Sequence, residues 1–390
     1  MLRVLYLVHD LSDPAVNRRV KMLQAGGADV TLAGFRRGKP VTSIEGLVPI
    51  ELGVTRDGRF GQRLGAVVRA ATAIGSALGA VGRPDVIVAR NLEMLALARR
   101  AVSIFGGAVP VVYECLDIHR LLLRSDAVGV AMRGAERFFS RDVAMLVTSS
   151  PAFVEEHLSR VLDPGVPIEL VENKVLELAG PAGAETPPAP RRAGPPWRIG
   201  WFGALRCRQS LELLSAFSRS MGGEVEVILR GRPAYGEFAD FDGYVASEPY
   251  LSFLGPYRNP DDLPAIYGDV HFVWAIDFFE EGQNSKWLLP NRLYEGCRHG
   301  GVPIAMRGTE TGKFLEARGC GLLLSEAATD ALRAMLGSMD EVGYATLKQR
   351  VTSIDPATWI YGIDDCRVLV GKLRALAALR TDGAAIEAAA

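Results

Sequence analysis

The sequence has little of what would place it in several common classes. Cysteine is scarce: Cys115, Cys207, Cys297, Cys320 and Cys366 are five among 390 residues and form no C-x-x-C pair. That argues against a disulfide framework or a cysteine-rich metal site and suits a reducing compartment. Charge of one sign is not in excess. The formal net charge is −1, which speaks against nucleic acid as the main partner. No apolar run approaches the ~20 residues of a membrane span. The chain opens directly on a strand-like run, so no secretory leader is expected, and the expected location is cytoplasmic.

Several catalytic signatures are missing too. No G-x-G-x-x-G follows the first strand, which removes the usual dinucleotide fingerprint. There is no G-x-S-x-G of a serine hydrolase. Gly308 to Lys313 imitates a phosphate-binding loop, but the spacing is short and no Ser or Thr follows Lys313. Asp240-Phe241-Asp242 has the D-x-D form of some metal-holding pairs. It is expected in a loop, and a metal site needs several convergent ligands. Neither a metal nor a cofactor is expected.

What is present is an apolar content of 48% and enough chain for two domains with cores of their own. Leu2 to Val8 reads as a buried parallel strand. A helix follows over 15–24 and stops at Gly26-Gly27. Strands are expected at 30–33, 85–89, 110–113, 145–148 and 168–171, and helices at 56–80, 91–102, 120–142 and 152–162. The helix over 56–80 has a basic side (Arg56, Arg59, Arg63, Arg69) opposite alanines, which suits an ordinary surface or an anionic membrane. Residues 179–196, rich in Ala, Pro and Gly, have no pattern a core could use and read as a linker. They divide 1–178 from 197–355. The second half alternates in the same way, with strands at 197–202, 225–229, 251–254, 270–275 and from 302, and a last helix near 360–378. This is an α/β fold of two doubly wound parallel sheets. Ligands of such sheets bind beyond the carboxyl ends of the strands, where the loops carry His9, Asp13, Asp117 and His119. Asp117 has a second reading as the cap of the next helix. Arg18 and Arg19, on the first helix, read most simply as a solvated face.

The stretch from Gln283 to Ile304 carries the most chemistry. A polar loop, Gln283-Asn284-Ser285-Lys286, leads into Pro290-Asn291. Proline suits a helix's first turn and glycine its C-terminal cap, so a short helix runs from near Pro290 to Gly300. Its leading N–H groups and dipole make a seat for a diphosphate. Arg292 adds a planar cationic fork. Glu295, one turn further on roughly the same face, can accept from a diol such as ribose. A solvated Arg–Glu pair is the plainer alternative. A second seat of this kind follows the strand at 197–202. There Gly203 allows close backbone approach, and Arg206 and Arg208 offer guanidiniums to phosphate oxygens. Two surface arginines are the alternative at that point.

The run E-G-C-R-H-G-G-V-P-I-A from Glu295 resembles the E-A-x-x-x-G-x-P-V-I-A segment of GT-B glycosyltransferases, above all family 4. L-P-N-R-L-Y-E before it resembles the L-P-N-K-x-x-E of polysaccharide-building members. D-P-A-V-N-R-R…G-A-D-V is similar to the family's D-P-R-V-x-R-E…G-x-x-V opening. Tyr113 to Asp117 is similar to its Y-D-x-H-E, with Leu116 at the family's histidine. Gly255-Pro256-Tyr257 resembles a turn near the nucleotide base. Residues 355–359 resemble the f-s-W at which the chain crosses back, so that a helix over 357–380 rejoins the first domain.

The resemblance implies two facing Rossmann-like domains, with the acceptor mainly on 1–178 and the donor mainly on 197–355. It implies transfer of a sugar from a UDP- or GDP-sugar to a lipid-linked or growing cell-surface polysaccharide, at the inner face of the cytoplasmic membrane. The implied partners are thus a nucleotide diphosphate sugar, a saccharide acceptor and an anionic membrane surface, with no nucleic acid. Donor contacts would come from Gly203, Arg206, Arg208, Tyr257, Asn284, Lys286, Pro290, Asn291, Arg292, Leu293 and Glu295. Acceptor contacts would come from His9, Asp13, Arg18, Asp117 and His119. Asp117, His119, Arg206 and Arg292 would carry catalysis. The family's first glutamate, eight positions before Glu295, is Trp287 here, so Asn284, Lys286 or the loop backbone would meet the sugar instead. The family implies retention of configuration without metal; if the enzyme inverts, Asp117 is the candidate base. Two other readings remain: a sugar-nucleotide 2-epimerase using Asp117 with Glu114, and a nucleotide-sugar-binding protein without turnover.

Overall fold

The computed structural model describes residues 1–56, 60–178, 191–279 and 281–389, with Phe60 and 380–389 described by backbone alone. Arg59, Glu280 and residues 179–190 of the expected linker lie outside the described residues. The chain forms two compact units. One comprises Met1–Glu172, Leu176–Leu178 and Tyr361–Ala390, the other Asn173–Val175 and Ala179–Ile360.

The first unit holds a seven-stranded sheet of β1 (Leu2–Val8), β2 (Ala28–Arg36), β3 (Ile50–Val54), β4 (Val86–Arg90), β5 (Val111–Cys115), β6 (Val143–Thr148) and β7 (Ile168–Leu170). The strands run parallel in the order β3-β2-β1-β4-β5-β6-β7. Val4 to Val8 and all of β4 and β5 are buried on both faces, as a sheet covered by helices on both sides demands. The helices are α1 (Pro14–Ala25), α2 (Phe60–Ala77), α3 (Leu92–Ile104), α4 (Ala127–Phe139) and α5 (Pro151–Glu156). Asp13 caps α1 by accepting from the Ala15 amide, and Pro14 occupies the first turn, the arrangement favoured at helix starts.

Three expectations are corrected here. β3 was not anticipated, because its half-exposed I-E-L-G-V lacks a clean alternation. The helix expected over 120–142 is only α4: it starts at Asp126, whose carboxylate accepts from the Gly129 amide, and 119–126 form turns. The apolar run Leu121–Leu123 imitates a helix there, with Leu122 buried. The helix expected over 56–80 is α2, which leaves Arg56 outside it.

A short strand, β8 (Val175–Leu176), precedes the second unit. That unit's sheet comprises β9 (Trp197–Leu205), β10 (Val225–Pro233), β11 (Leu251–Phe253), β12 (Phe272–Trp274), β13 (Val302–Met306) and β14 (Leu322–Leu324). These strands are parallel in the order β11-β10-β9-β12-β13-β14. Its helices are α6 (Arg208–Ser220), α7 (Phe241–Ser247), α8 (Leu263–Gly268), α9 (Asn291–Arg298), α10 (Glu310–Arg318), α11 (Thr329–Leu336) and α12 (Glu341–Thr352). Trp197, Trp201 and Trp274 fill the core. The D-x-D is not a loop: Asp240 caps α7 through the Gly243 amide at 2.9 Å, and Phe241 is buried. β9 and β10 pair through Gly203 and Gly231, where a Cβ on Gly231 would lie 1.9 Å from the Gly203 carbonyl oxygen.

After β15 (Ile360–Tyr361), α13 (Ile363–Ala389) returns to the first unit. Cys366, Leu369, Val370 and Leu373 join the core that holds Val16, Val20 and Leu23 of α1. A Cβ on Gly26 would lie 2.3 Å from the Cys366 carbonyl oxygen, so glycine there permits that close approach.

Candidate active site

The strand order of the second unit reverses between β9 and β12, and the chain leaving those strands carries Arg206 and Asp277. Their side chains meet at 3.3 Å. Arg292, in the first turn of α9, is 8% exposed. Its Nη2 donates to the Ile276 carbonyl at 2.7 Å and stands 3.8 Å from Asp277. One carboxylate therefore lies between two guanidiniums. Burial lowers the pKa of Arg292, Asp277 opposes that and Arg206 adds to it. The Arg292 Nε is buried with no partner. A buried donor left unpaired costs about 1–3 kcal/mol, and a ligand oxygen would remove that cost. The ring of Phe279 lies 4.7 Å from the Arg206 guanidinium.

A cavity of about 230 Å³ opens here, lined by Asp277, Lys286, Pro290, Arg307, Thr309 and Thr311 among others. Pro290 is the N-cap of α9, and no side chain caps the helix. The leading N–H groups are thus not used by a capping side chain, which keeps the positive dipole end open to an anion.

Glu295 is 5% exposed and accepts from Asn259 Nδ2 at 2.7 Å and Tyr267 OH at 2.9 Å. A carboxylate has about four lone-pair sites, and the two donors hold this one in a fixed orientation. Tyr257 stands beside it: burial and then the Glu295 charge push its hydroxyl well above the usual value, so it stays a donor. A Cβ on Gly203 would lie 3.9 Å from that hydroxyl, and Gly203 has a φ of 103° that favours glycine.

The structure brings together Arg206, Arg292, Lys286 and Pro290, and sets Glu295, Tyr257 and Gly203 nearby. It does not bring in every expected donor contact. Arg208 is the first residue of α6, exposed, with Nη2 directed at the Glu237 carbonyl at 3.4 Å. The Leu293 side chain is in the core and its amide donates to Pro290 O, so neither is available to a ligand. Asn284 is buried, and Asn291 is exposed. Asp277, Asn259 and Tyr267 were not anticipated as site residues. The pairs with Glu295 span 36 and 28 residues, and no local pattern announces them.

In the first unit the strand order reverses between β1 and β4. Asn91, at a φ of 70°, places its side-chain nitrogen 3.3 Å from His9 Nδ1. Burial holds the His9 imidazole well below its ordinary pKa, so it is neutral. Asp13 accepts from Arg90 Nη1 at 3.1 Å as well as capping α1. Arg90 also donates to Glu114 at 2.7 Å, as do Arg19 at 2.5 Å and Tyr6 OH at 2.5 Å. Arg19 is therefore not on a solvated face but 4% exposed, on the inner side of α1 with Val16 and Val20. Burial raises the Glu114 pKa, but Arg90 and Arg19 outweigh it and bring it down to about 2. Arg18 is half-buried.

Asp117 and His119 are exposed on the turn after β5. Asp126, not Asp117, caps the helix that follows. His119 Nδ1 accepts from the Leu121 amide at 3.3 Å, which puts the proton of the neutral ring on Nε2. Burial, followed by the Arg63 charge, keeps that ring below its usual pKa. Both residues edge a second cavity, of about 170 Å³. Among the described residues no cluster of three or more His, Cys, Asp or Glu could hold a metal.

No protein-family model matches the chain. Over 379 residues it is 58% identical to the succinoglycan biosynthesis protein ExoL of Rhizobium meliloti (strain 1021), covering 96% of this chain and 94% of that one. Anabaena HepE, solved with UDP and glucose, superposes with a TM-score of 0.67 at 15% identity, over 96% of this chain and 100% of that one. Sucrose-phosphate synthase from Thermosynechococcus elongatus gives 0.65 at 13%, over 96% and 98%. The latter two likenesses establish the fold, which is the GT-B fold expected from the sequence.

Proposed function

The chain belongs to the family of the succinoglycan biosynthesis protein ExoL and is a glycosyltransferase of the GT-B fold, and from that premise we propose that it moves a sugar from a nucleotide diphosphate sugar to a hydroxyl of a growing exopolysaccharide. The observation that carries the donor reading is the Arg206–Asp277–Arg292 cluster at the β9/β12 reversal, with its unpartnered Arg292 Nε. The donor diphosphate takes the place of Asp277 between the guanidiniums and lies against the N-terminus of α9. As the bond to the sugar breaks, charge grows on the leaving phosphate. Fixed donors aimed at that charge are the main catalytic contribution, and Arg206, Arg292 and Lys286 supply them without a metal. Glu295, held in place by Asn259 and Tyr267, receives the ribose hydroxyls. UDP is the first nucleotide to try, because HepE was solved with UDP and with UDP-glucose.

On the acceptor side, His119 donates from Nε2 and Asp117 faces solvent beside it. With His119 in that tautomer, the retaining course needs no base from this loop; in an inverting course Asp117 takes the proton. The acceptor is a saccharide intermediate of a succinoglycan-type polymer, carried on lipid at the inner membrane face. No helix among the described residues is long and apolar enough to cross a membrane, so the attachment would be peripheral. The epimerase reading loses its second carboxylate, since Glu114 is fully buried and holds three donors. A thermal-shift panel of UDP-, GDP-, ADP- and CMP-sugars tests the donor reading, because a ligand selective for the folded state raises its apparent stability. Turnover that survives chelation of divalent ions tests metal independence, and chemical analysis of the released product separates transfer from epimerisation and from binding alone.

A further inference from the structure

We infer that the cavity under α2, α3 and α4 takes a hydrocarbon segment of the acceptor, an isoprenoid or alkyl chain and not a sugar ring. The inference rests on the first unit being the acceptor side. Leu64, Val67, Leu92, Leu122, Met132 and Phe139, with Ala96 and Ala135, form the apolar part of the wall. None of these side chains donates a hydrogen bond and only the Met132 sulfur accepts one, weakly, so a hydroxyl placed among them would lose its water with little compensation. The volume, about 170 Å³, is below the ~300–1,000 Å³ of a site for a whole drug-sized ligand. It fits one portion of a larger molecule. The polar groups of the lining are the Arg63–Glu93 ion pair, Asn91, Tyr113, Asp117 and His119.

The outer faces of α2 and α4 are rich in exposed apolar side chains. Leu64 and Val68 of α2 and Val128, Val130 and Phe138 of α4 are each 45–59% exposed. A helix on the surface of a soluble protein ordinarily turns polar residues outward. α2 contains no Asp or Glu, and the one acid of α4, Glu136, is fully buried against Tyr113 and His157. The charges on the outer faces are arginines, Arg69 and Arg137. Apolar side chains with cations suit the boundary of an anionic bilayer, and the exposed Asp126 at the cap of α4 is paired with Arg124. A molecule seated with its polar end at Asp117 and His119 and its apolar part between these helices is an amphiphile, which is the form of a saccharide carried on a lipid.

The test is calorimetric titration of the full chain with methyl, hexyl and octyl β-D-glucoside, each below its micelle concentration. Affinity is expected to rise about fourfold per added methylene until the cavity is full, the ratio that corresponds to ~0.8 kcal/mol per buried CH₂. Ala135→Phe fills the cavity from α4 and Ala96→Leu from α3. Each is expected to weaken octyl glucoside at least tenfold and to leave methyl glucoside and the thermal shift by UDP-glucose unchanged. That preserved shift shows folding of the variants, and the second variant covers a disturbance of α4 by the first. Affinity independent of chain length would overturn the inference. So would a chain-length effect that survives both variants, which would put the chain on the open helix face, or a dimer that covers Leu64 and Phe138. Loss of UDP-glucose binding in the parent with chain binding intact would remove the transferase reading and leave the cavity's assignment standing.

Discussion

The two strand reversals of this molecule hold similar residues in opposite conditions. In the first unit, Arg90 and Arg19 converge on Glu114, with Tyr6 and Asp13 completing the set. The charges there are buried and matched. In the second, Arg206 and Arg292 share Asp277 at 3.3 and 3.8 Å, and one buried Nε has nothing to bond. The first arrangement is finished without a ligand, while the second is short of acceptors. The number of arginines does not separate a structural cluster from an anion seat; what separates them is whether the carboxylates already present satisfy the donors.

Breaking the finished cluster should have the largest effect on stability. Glu114→Gln leaves two buried guanidiniums without a full counter-charge, and chemical denaturation should show a loss of about 3–5 kcal/mol. UDP-glucose binding by the folded fraction should stay as in the parent. The acid limb sharpens the same point. Glu114 titrates near 2 in the folded chain, against an ordinary 4.5. Its contribution is therefore complete above pH 4.5 and is lost as pH falls towards 2. Stability measured across that window should fall steeply in the parent and more gently in Glu114→Gln.

Breaking the unfinished seat should act on function. Arg292→Ala should lower turnover about 10²–10³-fold, the usual cost of one donor to a developing anion. It should also abolish most of the thermal shift by the nucleotide sugar. Arg292→Lys should rescue little, because a point charge does not reproduce the planar fork. Asp277→Asn removes the anion that competes for the two arginines. Calorimetry should then show nucleotide binding tighter by a few-fold, on the order of 1 kcal/mol for one charge-assisted contact. The smallest effect belongs to Arg208→Ala, within about ±0.5 kcal/mol in binding and stability, as for an exposed residue away from the seat; a larger loss of affinity would place Arg208 in the site after all.

The candidate seat of the second unit could be proposed from sequence because its signals are local. Pro290, Arg292, Glu295 and Gly300 lie in or beside one short helix, and Gly203 and Arg206 at the end of one strand, so spacing with the family resemblance proposes a phosphate binder with a diol binder behind it. The partners that tune these groups are not local. Asn259 and Tyr267 reach Glu295, and Asp277 lies 71 residues from Arg206. The same distance problem hid Arg19, whose partner Glu114 is 95 residues away: a long cationic side chain on a helix reads as surface until its counter-charge is known. The helix expected across Leu121–Leu123 and the loop expected at Asp240–Asp242 missed for a different reason. Each matches a familiar pattern in composition, but a helix cap, at Asp126 in one case and Asp240 in the other, decides the local structure.

The most direct test of the central claim is the thermal shift of the parent and of Arg292→Ala with UDP-glucose, read beside the GDP-, ADP- and CMP-sugars. The account predicts that one nucleotide class stabilises the parent and that Arg292→Ala, folded as before, loses most of that shift. An equal shift in both proteins would contradict the diphosphate seat at α9. No shift in either with any of the four nucleotide classes would contradict the donor reading itself.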